Sequence, residues 1–273
     1  MGKMSVSEFY QGLDELYAKE RIGKVEAYMR GARDTAVEED DTAMIIAVDN
    51  ELASHFRSAG RHEQGLPLYE EALQKLEETG QKDTHNYAIT LLNAANGHLA
   101  CNDLEAALKM YRTSEKLLED LGEDNGYDMA AVQDNISSAY RSRGELEKAE
   151  AAALRSLRII RTIPGARREE ATSLINLGEV QIDMGRYDEA ESSLGEAMKI
   201  YETEFADKDI HYAYAAAAFG VLEYYRGNWD GSIVYYQKAM ELVERDFGRS
   251  PYYDMLENNL KIVREAKSGE AKS

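Results

Sequence analysis

The sequence predicts an all-α solenoid, a row of antiparallel helix pairs, on three observations. Apolar residues recur at i, i+3, i+4 and i+7 along nearly the whole chain, the mark of amphipathic helices. The period-two alternation rich in Val, Ile and Thr that marks strands is absent. Short turn dipeptides recur at spacings of 41 or 42 residues: Gly60-Arg61, Asn102-Asp103, Gly144-Glu145, Gly185-Arg186 and Gly227-Asn228. Self-similarity at such a period signals units that bury their apolar faces by stacking on their neighbours.

The elements follow in order. Ser5–Lys19 and Ile22–Glu38 form a degenerate first pair joined at Glu20-Arg21, so residues 1–41 stand apart from the regular array. Five pairs follow over 42–247: 42–59/62–79, 84–101/103–121, 128–143/145–163, 168–184/187–204 and 209–226/229–247. Thr79-Gly80-Gln81, the run Gly122 to Gly126, Pro164-Gly165 and Phe247-Gly248 break the chain between pairs. Ser250-Pro251 is a helix start, a cap followed by proline in the first turn. The helix it opens, 250–267, closes the stack with Lys261, Arg264, Glu265 and Lys267 on its polar face. Residues 268–273 read as a frayed tail. With no linker in sight, 1–273 is expected to be one solenoid domain.

The same side-chain sizes recur at fixed distances from each turn. Five residues after it stand Gly65, Ala107, Ala149, Ala190 and Ser232, and twelve after it Ala72, Ser114, Ser156, Ala197 and Ala239. Nine after it stand Tyr69, Tyr111, Ala153, Leu194 and Tyr236. Small positions seven apart share one helix face and let a neighbouring helix approach closely.

These columns resemble the tetratricopeptide repeat (TPR) family, whose units carry a glycine in the inter-helix turn and an Ala…Tyr/Phe…Ala series on the second helix. Gly178-Glu179-Val180 with Gly185-Arg186-Tyr187-Asp188-Glu189-Ala190 matches that pattern. The 42-residue period resembles the kinesin light chain subtype. So does the stretch from Gly60 to Leu73, which includes Pro67. The resemblance is good over 42–247 and looser over 5–38 and 250–267. It implies a right-handed α-α superhelix of about five to six helix pairs with a C-terminal capping helix. It also implies that the first helix of each pair lines a concave groove.

Composition narrows the function. Asp and Glu number 51 against 32 Lys and Arg, a formal net charge of −19. That field repels phosphate backbones and anionic lipid, so neither nucleic acid nor membrane is expected as a partner. A single cysteine, Cys101, builds no disulfide framework and no cysteine-based zinc site. No apolar run reaches the length of a membrane span, and the first residues lack a signal-peptide core, so a cytoplasmic protein is expected. Phosphate-binding glycine loops are absent, and His55, His62, His85, His98 and His211 form no metal-ligand motif. An enzyme is not expected, nor any cofactor or metal.

Candidate binding residues lie on the first helix of each pair. Nine positions before the turn stand Glu51, Asn93, Asn135, Asn176 and Ala218, and the closing helix places Asn259 in the same column. Asparagine is a mediocre helix former, so its repeated mid-helix placement opposes local propensity. A carboxamide both donates and accepts, and can pair with the N–H and C=O of one residue of an extended peptide. Two roles fit: a ladder holding a peptide main chain, which the family resemblance implies, or hydrogen bonds between helices. Three positions before the turn stand Arg57 and Arg141. They suit either a ligand carboxylate or neutralisation by Glu51 or Asp134. Tyr212, Tyr214, Tyr224 and Tyr225 surround the run Ala215 to Ala218, and suit either core packing or an interface. The family's carboxylate clamp for chaperone tails is not matched. Asn50, Ala131 and Asn135 stand where that clamp needs basic side chains, and only Asn93 fits.

The expected function is a protein–protein interaction module that takes an extended peptide or partner tail in its groove. Asn93, Asn135, Asn176 and Asn259 would hold the main chain, and Arg57, Arg141, Tyr224 and Tyr225 would read side chains. The alternatives are a self-associating scaffold, hence a homo-oligomer, and a regulatory receptor for a small signalling peptide.

Overall fold

The computed structural model describes residues 4–18, 22–205 and 209–270. Among them are thirteen α-helices and no strand: α1 (Val6–Ala18), α2 (Val25–Glu38), α3 (Thr42–Ser58), α4 (His62–Glu78), α5 (His85–Ala100), α6 (Leu104–Asp120), α7 (Tyr127–Ser142), α8 (Leu146–Ile160), α9 (Arg167–Asp183), α10 (Tyr187–Glu204), α11 (Ile210–Tyr225), α12 (Trp229–Phe247) and α13 (Pro251–Glu270). The chain divides into two compact units, Met1–Asp124 and Asn125–Ser273. The first holds the pairs α1/α2, α3/α4 and α5/α6. The second holds α7/α8, α9/α10 and α11/α12, followed by α13.

The five pairs fall where the period predicts, and two ends differ. Helix α8 stops at Ile160 rather than 163, and Thr162 and Ile163 close tight turns onto Ile159 and Ile160. Pro164 disfavours helical geometry at the residue before it. Helix α13 runs to Glu270, so residues 268–270 are helical and not a frayed tail; Ser268 Oγ donates to Glu265 O across that last turn. The junction at Glu20-Arg21 and residues 271–273 lie outside the described residues.

The turns inside the five regular pairs share one device. The marker residue takes a left-handed backbone, with φ of +72° at Gly60, +60° at Asn102, +73° at Gly144, +72° at Gly185 and +75° at Gly227. Glycine adopts this without a Cβ penalty, and asparagine is the side chain that tolerates it best. The next N–H then reaches back to the carbonyl five residues earlier, as in Arg61 N to Phe56 O at 2.8 Å and Arg186 N to Gln181 O at 2.9 Å. That bond satisfies a carbonyl the helix end would leave orphaned. Side chains cap many of the starts: Asp41, Thr84, Asp103, Asp209, Asn228 and Ser250 each accept a first-turn N–H.

The small columns let the paired helices close. A Cβ on Gly65 would stand 2.8 Å from Ala53 O, and one on Gly220 would stand 3.0 Å from the Tyr236 ring. Buried serines at these contacts send their hydroxyls to the neighbouring backbone, Ser137 Oγ to Ala149 O and Ser232 Oγ to Gly220 O. Tyr69, Tyr111, Ala153, Leu194 and Tyr236 fill the spaces between and are all buried. One charged cluster is built into the first unit. Arg33 of α2 donates to Asp49 of α3 at 2.6 Å and to Glu71 of α4 at 2.5 Å. Asp49 is wholly buried, and burial lifts its carboxyl to about 6 against the pull of Arg33.

Candidate functional site

Residues nine before a turn line a cavity in each of the two units. In the first, Glu51 and Asn93 border a space of about 430 Å³ with Asn50, Asn86, Thr90 and Tyr10. In the second, Asn176, Ala218 and Asn259 border one of about 340 Å³. The position thirteen before the turn lines them as well, through Ala47 and Ile89 in one and Thr172 and Tyr214 in the other. Within each unit the cavity therefore lies on one stripe of its first helices, as 3.6-residue periodicity requires of positions four apart.

The first cavity mixes polar and apolar side chains. Asn50 donates from Nδ2 to Ile46 O at 3.0 Å and to Thr90 Oγ1 at 3.2 Å, while its Oδ1 is buried without a partner. The Tyr10 hydroxyl faces Glu51, whose carboxyl burial pushes upward. The side chains of Asn93 and Asn135 are half-buried and make no hydrogen bond among the described residues. Asn135 lines neither cavity.

The second cavity is largely apolar. Its floor is the small Ala217 and Ala218 of α11, and its walls include Ile175, Tyr214, Tyr252 and Met255. Alanines here leave open a space that larger side chains would fill. Tyr214 and Tyr252 meet edge to face at 4.8 Å. Asn176 is half-buried and faces Asp134, to which Ser173 Oγ donates at 2.8 Å. Burial outweighs these partners and lifts the Asp134 carboxyl to about 6; its Oδ1 is buried and unpaired. Asn259 lies against the hydroxyl of Tyr236, which burial pushes up to about 12. So two amides edge the cavity, each with one protein neighbour and capacity to spare.

The two arginines part company. Arg141 donates to Glu179 and, at 2.5 Å, to Asp183, both on α9. It is neutralised, though by these residues and not by Asp134. Among the described residues Arg57 pairs with no carboxylate. Its Nε is buried and unpaired beside Tyr69 and Tyr111, and its charge offsets part of the burial that raises both phenols. The tyrosines divide as well. Tyr212 is buried and donates to Glu202 at 2.7 Å. Tyr224 packs edge to face on Trp229 at 5.2 Å, and the exposed Tyr225 stacks on Tyr187 at 6.3 Å. Tyr224 and Tyr225 lie at the far end of α11 and do not line the cavity; Tyr214 and Tyr252 do.

Sequence reasoning passed over Tyr252, Met255 and His211 as site residues. The signal for Met255 was the position thirteen before the turn, which it shares with Thr172 and Tyr214, while His211 and Tyr252 share the position three residues earlier. Cys101 is half-buried, and burial with Glu63 and Asp103 nearby raises its thiol, which disfavours the reactive thiolate. Among the described residues no helix is long and apolar enough to cross a membrane.

Solved structures with this fold include BtubC (BKLC) from P. vanneervenii, 17% identical, with 85% of this chain and 93% of that one covered at a TM-score of 0.64. The apo form of RapI is 12% identical, with 99% and 100% covered at a TM-score of 0.68. The apo quorum sensor NprR from B. thuringiensis is 12% identical, with 94% and 69% covered at 0.66. No curated protein is a significant match to the sequence. The tetratricopeptide repeat model matches residues 44–120 and 128–203, more than half of the chain. With that match on the repeats whose turns and columns are described above, the chain belongs to the tetratricopeptide repeat family.

Proposed function

We propose that this protein is an interaction module that holds an extended peptide or partner tail on the face formed by the first helix of each pair. The observation that carries the reading is the shared register. The residue nine before the turn borders a cavity in each unit, and three of the five residues there are asparagines. Asn93 and Asn135 present amides that no group among the described residues uses, and Asn176 and Asn259 border a largely apolar space. An amide that pairs with a peptide N–H and C=O holds the main chain whatever its side chains are. Each such bond contributes about 0.5–1.5 kcal/mol net, so several together give weak binding, to which cavity contacts add specificity. Solved proteins of this fold include a quorum sensor and the Cut9–Hcn1 hetero-tetramer, in keeping with a module that meets partners.

The test is selection of binders from a phage-displayed library of random 12-residue peptides, followed by titration of the synthetic peptides. Asn176→Ala with Asn259→Ala should weaken them at least tenfold while leaving the helical circular dichroism unchanged. Equal affinity for the double variant and the wild type overturns the reading.

A further inference from the structure

Among the described residues Glu179 is the one carboxylate bordering the cavity of the second unit. It stands on the wall formed by α9, six positions before the turn, and its side chain keeps about a third of its exposure (36%). Its partner is Arg141, but that guanidinium is shared with Asp183. One positive charge thus serves two carboxylates, and the cluster keeps an excess negative charge. The neighbouring His211 is paired elsewhere, its Nδ1 held 2.6 Å from Asp209. Around the carboxylate the cavity is apolar and aromatic, lined by Ile175, Met255 and the edge-to-face rings of Tyr214 and Tyr252.

These features select a chemistry. An acidic ligand group would meet Glu179 and be repelled. A purely apolar side chain would fill the space and leave the excess charge facing hydrocarbon, at a desolvation cost. A lysine or arginine satisfies both parts. Its methylene stem lies on Ile175 and the alanine floor, and its head reaches a carboxylate beside tyrosine rings. At about 340 Å³ the cavity has room for one such side chain with part of its backbone. The chain's net charge of −19 draws basic segments from a distance. We infer that this cavity is a specificity pocket for a basic side chain, lysine or arginine, of the bound peptide, with Glu179 as its charge partner and Tyr252 as its aromatic wall. The inference rests on the peptide-binding reading above.

The experiment uses the same phage-displayed 12-residue library on the full chain. Selected peptides should share a lysine or arginine. In a synthetic binder, replacing that residue by norleucine should weaken wild-type binding at least tenfold. Against Glu179→Gln the same replacement should cost less than threefold. Arg141 keeps Asp183 in that variant, and a thermal melt checks that it folds. Tyr252→Leu serves as a second variant, retaining the apolar wall but lowering the preference for the basic residue. The inference falls if the selected peptides lack a basic residue, or if its contribution is the same against Glu179→Gln. In those cases sensitivity to the Asn176 and Asn259 variants would leave the peptide-binding reading standing. Insensitivity to them, or a library that yields no binder, removes both.

Discussion

Asn176 of α9 and Asn259 of α13 border one cavity, with Ala218 of α11 between them in the same register. The three occupy equivalent places on three successive first helices. The middle member is the smallest, and this is why the space is open. Replacing Ala217, which is 8% exposed on the cavity floor, by Phe should therefore block the site from within. Peptides selected on the wild type should lose at least tenfold in affinity. The helical circular dichroism should stay, with Tm lowered by overpacking of about 1–3 kcal/mol. Undiminished binding to a folded Ala217→Phe would place the ligand elsewhere.

The two inner-face arginines should separate in a stability assay. Arg141 holds Glu179 and Asp183 together, so Arg141→Gln leaves two carboxylates facing each other and should cost about 1–3 kcal/mol in urea unfolding. Arg57→Gln removes a buried Nε that has no partner, and should be near neutral. Equal losses for both variants would contradict the pairing described here.

Gly65 is required by a backbone, not by a side chain that can turn away. Its added Cβ would lie 2.8 Å from Ala53 O, so α3 and α4 would have to separate. Gly65→Ala should destabilise the first unit by about 1–3 kcal/mol despite the higher helix propensity of alanine. Gly195, on α10 with open space around it, is the control and should be stabilised by the same change. Scanning calorimetry of the two variants gives the comparison.

Asp134 predicts a pH dependence of defined sign. Its carboxyl titrates near 6 in the folded chain against an ordinary value of 3.8. The folded state then holds a proton more tightly than the unfolded state. This contribution is fully present below pH 3.8 and is lost as pH rises through about 6. Asp134→Asn should be more stable than the wild type at pH 7 by about 1–3 kcal/mol, and that advantage should vanish near pH 4. Urea unfolding at both values of pH measures it; an advantage that grows on acidification would reverse the assignment.

Arg33 should matter more than its exposed acid. Arg33→Ala leaves Asp49 buried with neither oxygen paired, a loss of about 2–4 kcal/mol. Glu71 is 38% exposed on its side chain, and Glu71→Gln should cost under about 1 kcal/mol. Chemical denaturation of the two variants orders them.

The helices, their pairing and their turns were legible in the sequence because each rests on local physics repeated five times. The left-handed residue at Gly60, Asn102, Gly144, Gly185 and Gly227 is a property of one position, and the small residue five places on is a property of one helix face. Periodicity also marked the column of Asn93, Asn135, Asn176 and Asn259, since 3.6 residues per turn decides which side chains share a stripe. Which arginine stays without a carboxylate was decided by tertiary structure. The partners of Arg141 come from the next helix pair, and position in its own helix says nothing of them. The cavity belongs to tertiary structure too. It exists because Ala217 and Ala218 on one helix face Tyr252 and Met255 on another, and an empty volume is a relation among helices that no single stretch of chain encodes.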